Sequence, residues 1–204
     1  MNEKFFDLKK EKQDRMINAA LKVFALNGYR HASTDDIVRE AAISKGLLFH
    51  YFENKLGVYA FVYDYSVRYL LLELSTAVDA KETDLFILMQ QVETGKMHAM
   101  CGYPYLQPFL NRAQAENVNE ALVAVEERKQ QMEEAYENIY TRADLGKYAA
   151  AEDVVKLRKM MNERILEDAF QPEMLYEEIL EYLQLSRRLA ERSGQPSDEE
   201  ITEK

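Results

Sequence analysis

The stretch ISKGLLFHYFENK, residues 43–55, decides how the chain folds. It opens on Ser44-Lys45-Gly46, places Leu47, Leu48, Phe49, His50, Tyr51 and Phe52 in six consecutive positions, and closes on Asn54-Lys55. In a helix beginning near Ser44, Leu48 and Phe52 stand at i and i+4 on one face, enough to finish a small core. Lys45, Leu47, Phe49, His50 and, in part, Tyr51 are then left outside. A monomeric surface seldom gathers aromatic rings without a use for them.

Just upstream, Ser33-Thr34-Asp35-Asp36 supplies a helix start, with Ser33 as N-cap and Asp36 in the capping-box position. The short helix it opens runs to about Ala41, with Ile37 and Ala41 inward. Only about three residues separate it from the helix at Ser44. Further upstream, from Lys9 to about Asn27, Ile17, Ala20, Leu21 and Phe24 fall at i, i+3, i+4 and i+7. Gly28 follows, where a helix end often needs a left-handed residue. A longer helix bracing two short ones across a tight turn is a helix-turn-helix.

Downstream, Asn54 caps a helix that reaches about residue 80 and carries Tyr59, Phe61, Tyr63, Tyr65 and Tyr69. Further helices are predicted at 85–100, 105–111, 115–141, 151–170 and 173–191, and SGQPSDEEITEK from Ser193 is a polar tail. The expected fold is all-α, about nine helices: a three-helix unit over residues 1–54, a larger helical domain over 55–192, and a tail over 193–204.

Composition agrees. Of 204 residues 47% are hydrophobic, and glycine (7) and proline (4) are scarce. The single cysteine, Cys101, allows no internal disulfide. His31, His50 and His98 show no metal-ligand spacing. The first residues lack the apolar run of a signal peptide, and VYAFVYDYSVRYLLL (58–72) is broken by Asp64 and Arg68, so a cytoplasmic location is expected. The net charge of −10 is uneven: residues 1–55 carry ten Lys/Arg against eight Asp/Glu, and residues 56–204 carry sixteen against twenty-eight. Such a split suggests different partners for the two parts.

The pattern from Gly28-Tyr29 through Ser33, Ile37, Ala41-Ala42-Ile43-Ser44-Lys45-Gly46-Leu47-Leu48-Phe49-His50-Tyr51-Phe52 to Asn54-Lys55 resembles the DNA-binding domain of TetR-type regulators. The resemblance covers roughly residues 12–60. It implies a dimeric transcription factor, usually a repressor, that binds a palindromic double-stranded operator and releases it when a small molecule enters the larger domain. Residues 1–54 would then bind DNA, and 55–192 would serve effector binding and dimerisation.

Carried over residue by residue, Lys45, Gly46, Leu47 and Phe49 face the major groove, with Ser44 opening that helix. Ser33, Thr34, His50, Tyr51 and Lys55 contact phosphates. Three positions depart from the usual pattern: Ala42 stands where glycine is common, Leu47 where threonine is, and Phe49 where tyrosine is. The two missing hydroxyls leave apolar contact with thymine methyls as the readout there. On the residues alone, Tyr51 reads equally well as core, and Lys55 as a solvated side chain.

Two apolar stripes near the C-terminus, Val154, Leu157, Met161 and Ile165, then Leu175, Ile179, Leu183 and more loosely Leu189, suit either a dimer interface or burial within the monomer. The resemblance selects the homodimer. Phe86, Met89, Met97, Met100, Tyr103, Phe109, Met132 and Tyr136 in the middle helices read as plain core or as the wall of an effector pocket. Glu93 shares their face and needs a partner, either Arg128 or Lys129 or a small apolar or cationic ligand. No cofactor is implied. No Ser-His-Asp set, metal cluster or phosphate loop marks an enzyme; the alternative for the chain is a helical scaffold or assembly protein without DNA binding, or a small-molecule-binding enzyme.

Overall fold

The computed structural model describes residues 3–148 and 172–192, and all regular structure among them is helical. The helices are α1 (Lys10–His31), α2 (Thr34–Ala41), α3 (Lys45–Tyr51), α4 (Lys55–Ala77), α5 (Leu85–Gly102), α6 (Leu106–Gln114), α7 (Asn119–Tyr140) and α8 (Pro172–Arg192). Short 3-10 turns occupy Glu3–Asp7 and Leu145–Lys147. Eight of the nine expected helices are therefore in place; the one expected at 151–170 lies outside the described residues. Among the described residues no helix is long and apolar enough to cross a membrane.

The helix ends follow from local chemistry. Helical geometry in α1 is broken at Gly28 (φ 65°, ψ 175°), a combination open almost only to glycine. The chain then makes one more turn, closed by the Ala32 amide donating to the Gly28 carbonyl at 3.2 Å. Helix α2 ends in a Schellman motif: Ala42 adopts left-handed φ 50°, ψ 51°, while the Ala42 and Ile43 amides donate to the Arg39 and Val38 carbonyls at 3.2 and 3.1 Å. Ser33, Ser44, Asn54 and Asp84 cap α2, α3, α4 and α5 with their side-chain oxygens. Ser33 does so through the Asp35 amide, but Asp36 does not reach back as a capping box would; it pairs with Arg39 instead.

Helix α4 is the axis, packed against α1, α5, α6 and α7; α1 also packs on α2 and α6, and α5 on α8. Close approach of α5 to α4 depends on Gly95, where a Cβ would lie 3.0 Å from Leu74 Cδ2 and 3.3 Å from the Leu74 Cα.

One apolar core runs from the helix-turn-helix into the larger domain, with Ile17, Leu21, Phe24, Ile37 and Leu48 joined to Leu70, Val92, Phe109 and Met132. Rings carry it across: Phe24 lies 5.0 Å from Tyr59 and 6.0 Å from Phe109. A second, smaller cluster gathers Leu85, Phe86 and Met89 of α5 with Tyr148, Leu183 and Ala190. Asp84 organises its edge, capping α5 while accepting from Tyr148 Oη at 2.6 Å and Arg187 at 3.2 Å.

Candidate nucleic-acid interface

Helix α3 divides as its spacing predicts. Leu48 and Phe52 are buried, whereas Lys45, Gly46, Phe49 and His50 are exposed and Leu47 is half-buried. Ser44 Oγ accepts from the Leu47 amide at 3.2 Å, leaving the other amides of the first turn pointing outward. No atom beyond its immediate surroundings lies within 4 Å of the place a Gly46 Cβ would occupy, so the helix's leading edge is open to a close-approaching surface. Ser33 and Thr34, half-buried at the start of α2, lie on the element that precedes it.

Lys45 does not stand alone on this edge. Its ammonium pairs with Asp35 at 2.7 Å, both side chains being more than half exposed. An exposed pair of this kind is worth little and is easily exchanged for a phosphate or base edge. Sequence reading missed Asp35 because it treated that residue only as part of a cap.

Behind α3 lies a second residue the sequence reading passed over. Phe5, in the first 3-10 turn, is completely buried. Its ring meets Phe61 at 4.8 Å, Phe52 at 5.6 Å and Tyr51 at 5.7 Å. Gln13 Nε2 holds the turn down by donating to the Phe6 and Leu8 carbonyls at 3.0 and 2.7 Å. Tyr51 is half-buried against Phe5 and His50, part core and part surface. The signal for Phe5 was the Phe5-Phe6 pair in an otherwise charged leader.

Lys55, expected at a phosphate, has another occupation. Its ammonium donates to the Tyr29, Ala32 and Arg30 carbonyls at 2.8, 3.3 and 3.4 Å and lies 4.4 Å from the centre of the Tyr29 ring. It closes the carbonyl end of α1, where a cation is favoured by both orphan acceptors and helix dipole.

The same end of α1 is held from the larger domain. The Tyr29 amide donates to Glu116 at 2.9 Å, the Tyr29 hydroxyl donates to Glu120 at 2.6 Å, and the Arg112 guanidinium lies against Gly28. Burial, then the carboxylates of Glu120 and Glu116, push the Tyr29 phenol far above its ordinary value. Burial would raise the Glu116 carboxyl, but amides of Asn117, Tyr29 and Val118 and the nearby Arg112 charge hold it below its ordinary value. A second tie lies at the other end of α1. Tyr103 donates to Asp14 at 2.7 Å, so Tyr65 (2.7 Å) and Lys10 (3.0 Å) are donors to the Tyr103 oxygen.

The residues expected to form an effector pocket do not make one wall. Tyr103, Phe109, Met132 and Tyr136 belong to the main core, whereas Phe86 and Met89 belong to the second cluster. Met100 is buried and Met97 half-buried on α5. Glu93 is buried and paired at 2.8 Å with Lys96, one turn along its own helix, rather than with Arg128 or Lys129. Arg128 instead joins Asp64 and Gln131. A helix-to-helix partner was expected because Glu93 was matched to cations across the bundle; the i, i+3 lysine was nearer.

An open groove of about 600 Å³ lies elsewhere, between the end of α3, the first half of α4, and α7. None of the nine expected effector residues lines it.

Of the expected dimer residues, Val154, Leu157, Met161 and Ile165 lie outside the described residues, as does the Leu175 side chain. Leu183 is buried against α5, with the half-buried Ile179 beside it. Among the described side chains of α8, the exposed large apolar ones are Tyr182, Leu185 and Leu189, at i, i+3 and i+7. The sequence stripe was displaced because α5 takes one face of α8.

Comparison with known proteins agrees with this arrangement. Residues 16–60 match the model of the family described as bacterial regulatory proteins, tetR family. The chain is 36% identical over 78 residues to YuxN, an uncharacterised HTH-type transcriptional regulator of Bacillus subtilis, a stretch covering 36% of this chain and 26% of that protein. It is 41% identical over 49 residues to TtgW, another such regulator, of Pseudomonas putida, covering 24% of this chain and 37% of that one. The chain thus spans well under half the length of these curated relatives. In fold it is similar to the TetR family transcriptional regulator PfmR of Thermus thermophilus, with TM-score 0.58, 19% identity, and coverage of 85% of this chain and 97% of that one. A TetR family regulator of Chloroflexus aurantiacus gives TM-score 0.58 and 22% identity, covering 94% and 96%. The helix-turn-helix, residues 16–60, thus matches the tetR family of bacterial regulatory proteins in sequence, and most of the chain's length shares the fold of TetR family regulators.

Proposed function

We propose that this protein is a transcriptional regulator that binds a palindromic operator as a homodimer, and that it acts as a repressor released by a small apolar or cationic effector. One observation carries the reading: α3 buries Leu48 and Phe52 while turning Lys45, Gly46 and Phe49 outward. Neither a scaffold nor an enzyme needs that division. Lys45 reads a guanine edge or phosphate, and Leu47 and Phe49 pack on thymine methyls. Ser33, Thr34, His50 and Tyr51 reach phosphates, with Ser44 setting the first turn. Lys55 acts indirectly, by fixing the end of α1.

A single α3 offers too few contacts for a specific site, so two copies related by a dyad read half-sites about one helical turn apart. Tyr182 and Leu185 on α8 supply apolar surface for the dyad. Effector binding shifts α4 or α6 and spoils the match of the two α3 helices to successive grooves; several kcal/mol of preference for the released state switches occupancy. Fluorescence anisotropy with candidate operator duplexes at moderate salt tests the reading. Tight binding of an inverted repeat over scrambled duplex is expected. Equal affinity for both, from a folded dimer, would remove it.

A further inference from the structure

We propose that the groove between the end of α3 and α7 is a binding site for a hydrophobic organic cation. Its volume of about 600 Å³ lies within the usual range for small-molecule sites. Gly57 and Ala60 of α4 and Ala124 of α7 line it, and their small side chains leave the space between two packed helices unfilled. The buried rings of Phe52, Phe61 and Tyr63 underlie it, and the half-buried Tyr51 supplies aromatic surface at one end.

The charge of the lining selects the occupant. Asp64 is already shared between Arg68 and Arg128. Glu53 and Glu127 are exposed, and among the described residues neither is in an ion pair. The one lining cation among the described residues, Arg128, is held by Asp64 and Gln131. Two carboxylates outside any ion pair, Glu53 and Glu127 (the latter accepting from Gln131 at 3.4 Å), near the half-buried Tyr51 ring favour a cation with an apolar body and disfavour phosphates and carboxylates. Because Tyr51 forms part of the wall, an occupant bears on the last turn of the recognition helix from behind. The site is distinct from the α5 residues first expected to hold an effector, and its binding test does not depend on the operator reading, since no DNA is present.

Isothermal titration calorimetry of the full chain with tetraphenylphosphonium, and with its shape-matched anion tetraphenylborate, decides the matter. The phosphonium should bind once per chain, and the borate about tenfold more weakly or not at all. Glu53→Gln and Glu127→Gln, both at exposed positions, should each weaken the phosphonium about fivefold. Ala124→Leu, also at an exposed position, should remove binding by filling the groove while leaving the thermal melt unchanged. No phosphonium binding at millimolar concentration would overturn the proposal, as would equal affinity for the borate. Unaltered binding by Ala124→Leu and Glu127→Gln together would place the cation elsewhere and overturn it equally.

Discussion

Truncating Phe5 to alanine should unmake the support of α3 without replacing any residue proposed to contact DNA. The ring is fully buried and meets four others, at 4.8 Å (Phe61), 5.6 Å (Phe52), 5.6 Å (Phe6) and 5.7 Å (Tyr51). Loss of a buried phenyl group costs about 3–5 kcal/mol when the cavity stays open. Here the cavity can partly close, because the 3-10 turn is short, tied by the Leu8 amide on the Phe5 carbonyl and by Gln13. The low end of the range, about 3 kcal/mol, is therefore expected. Phe6 provides the control: it is the same residue in the same turn, 38% exposed, with expected loss of about 1 kcal/mol or less. Urea unfolding followed by far-UV circular dichroism gives both numbers, and hydrogen exchange at the Leu48 and Phe52 amides should show local loosening for Phe5→Ala alone. If Phe5→Ala lies within about 1 kcal/mol of the parent, or Phe6→Ala costs as much, the N-terminal turn does not support α3.

Four further outcomes follow from particular residues. Ala42→Gly should stabilise the protein by about 0.5–1 kcal/mol in thermal melts, because relief of the left-handed strain exceeds the added freedom of the unfolded chain; a loss would contradict the observed φ of 50°. Lys45→Ala should lower DNA affinity and flatten its salt dependence by about one unit, whereas Asp35→Asn, by freeing Lys45, should strengthen binding to every duplex in anisotropy titrations. Tyr29→Phe deletes the hydrogen bond to Glu120 and should cost about 1 kcal/mol in urea unfolding. For Asp84, burial alone would raise the carboxyl, but Tyr148, the Ile87 and Phe86 amides and Arg187 hold it below its ordinary value. A depressed folded value means that its stabilisation is complete at neutral pH and is lost as pH falls below about 4; Asp84→Asn should flatten acid unfolding there, followed by circular dichroism.

The helix-turn-helix was legible because every feature that specifies it is local. Ile17 with Phe24, Ile37 with Ala41, and Leu48 with Phe52 each stand at helical spacing, Ser33 and Ser44 sit at helix starts, and Gly28 falls where only glycine tolerates the backbone. The larger domain was legible as helices but not as a site, because partner choice there is made across the bundle. Glu93 had several cations within reach on paper, and nothing in the sequence ranks Lys96 above Arg128. Leu183 showed an apolar stripe without showing whether α5 or a second chain covers it. The groove was invisible for a related reason: it arises from small residues, Gly57, Ala60 and Ala124, and space leaves no apolar pattern.

How a change in the larger domain reaches α3 can be argued from what would have to break. The sequence suggested one route, along α4 from Lys55, since that helix joins the two domains. The structure adds a second, through α1. Phe24 and Phe109 are both buried where α1 packs on α6, and separating them would expose two phenyl groups at about 2–3 kcal/mol each. The polar ties at Tyr29 are worth about 1 kcal/mol apiece by comparison. A displacement of α6 therefore carries α1 with it rather than sliding past it. Because α1, α2 and α3 share one core closed by Phe5, the whole helix-turn-helix turns with α1. Its fixed points are then the two ends where polar ties can lengthen or exchange: Asp14 with Tyr103, and Tyr29 with Glu116 and Glu120. On the proposed reading, residues far in sequence from Lys45 and Phe49 would thus be the hinge that aims them.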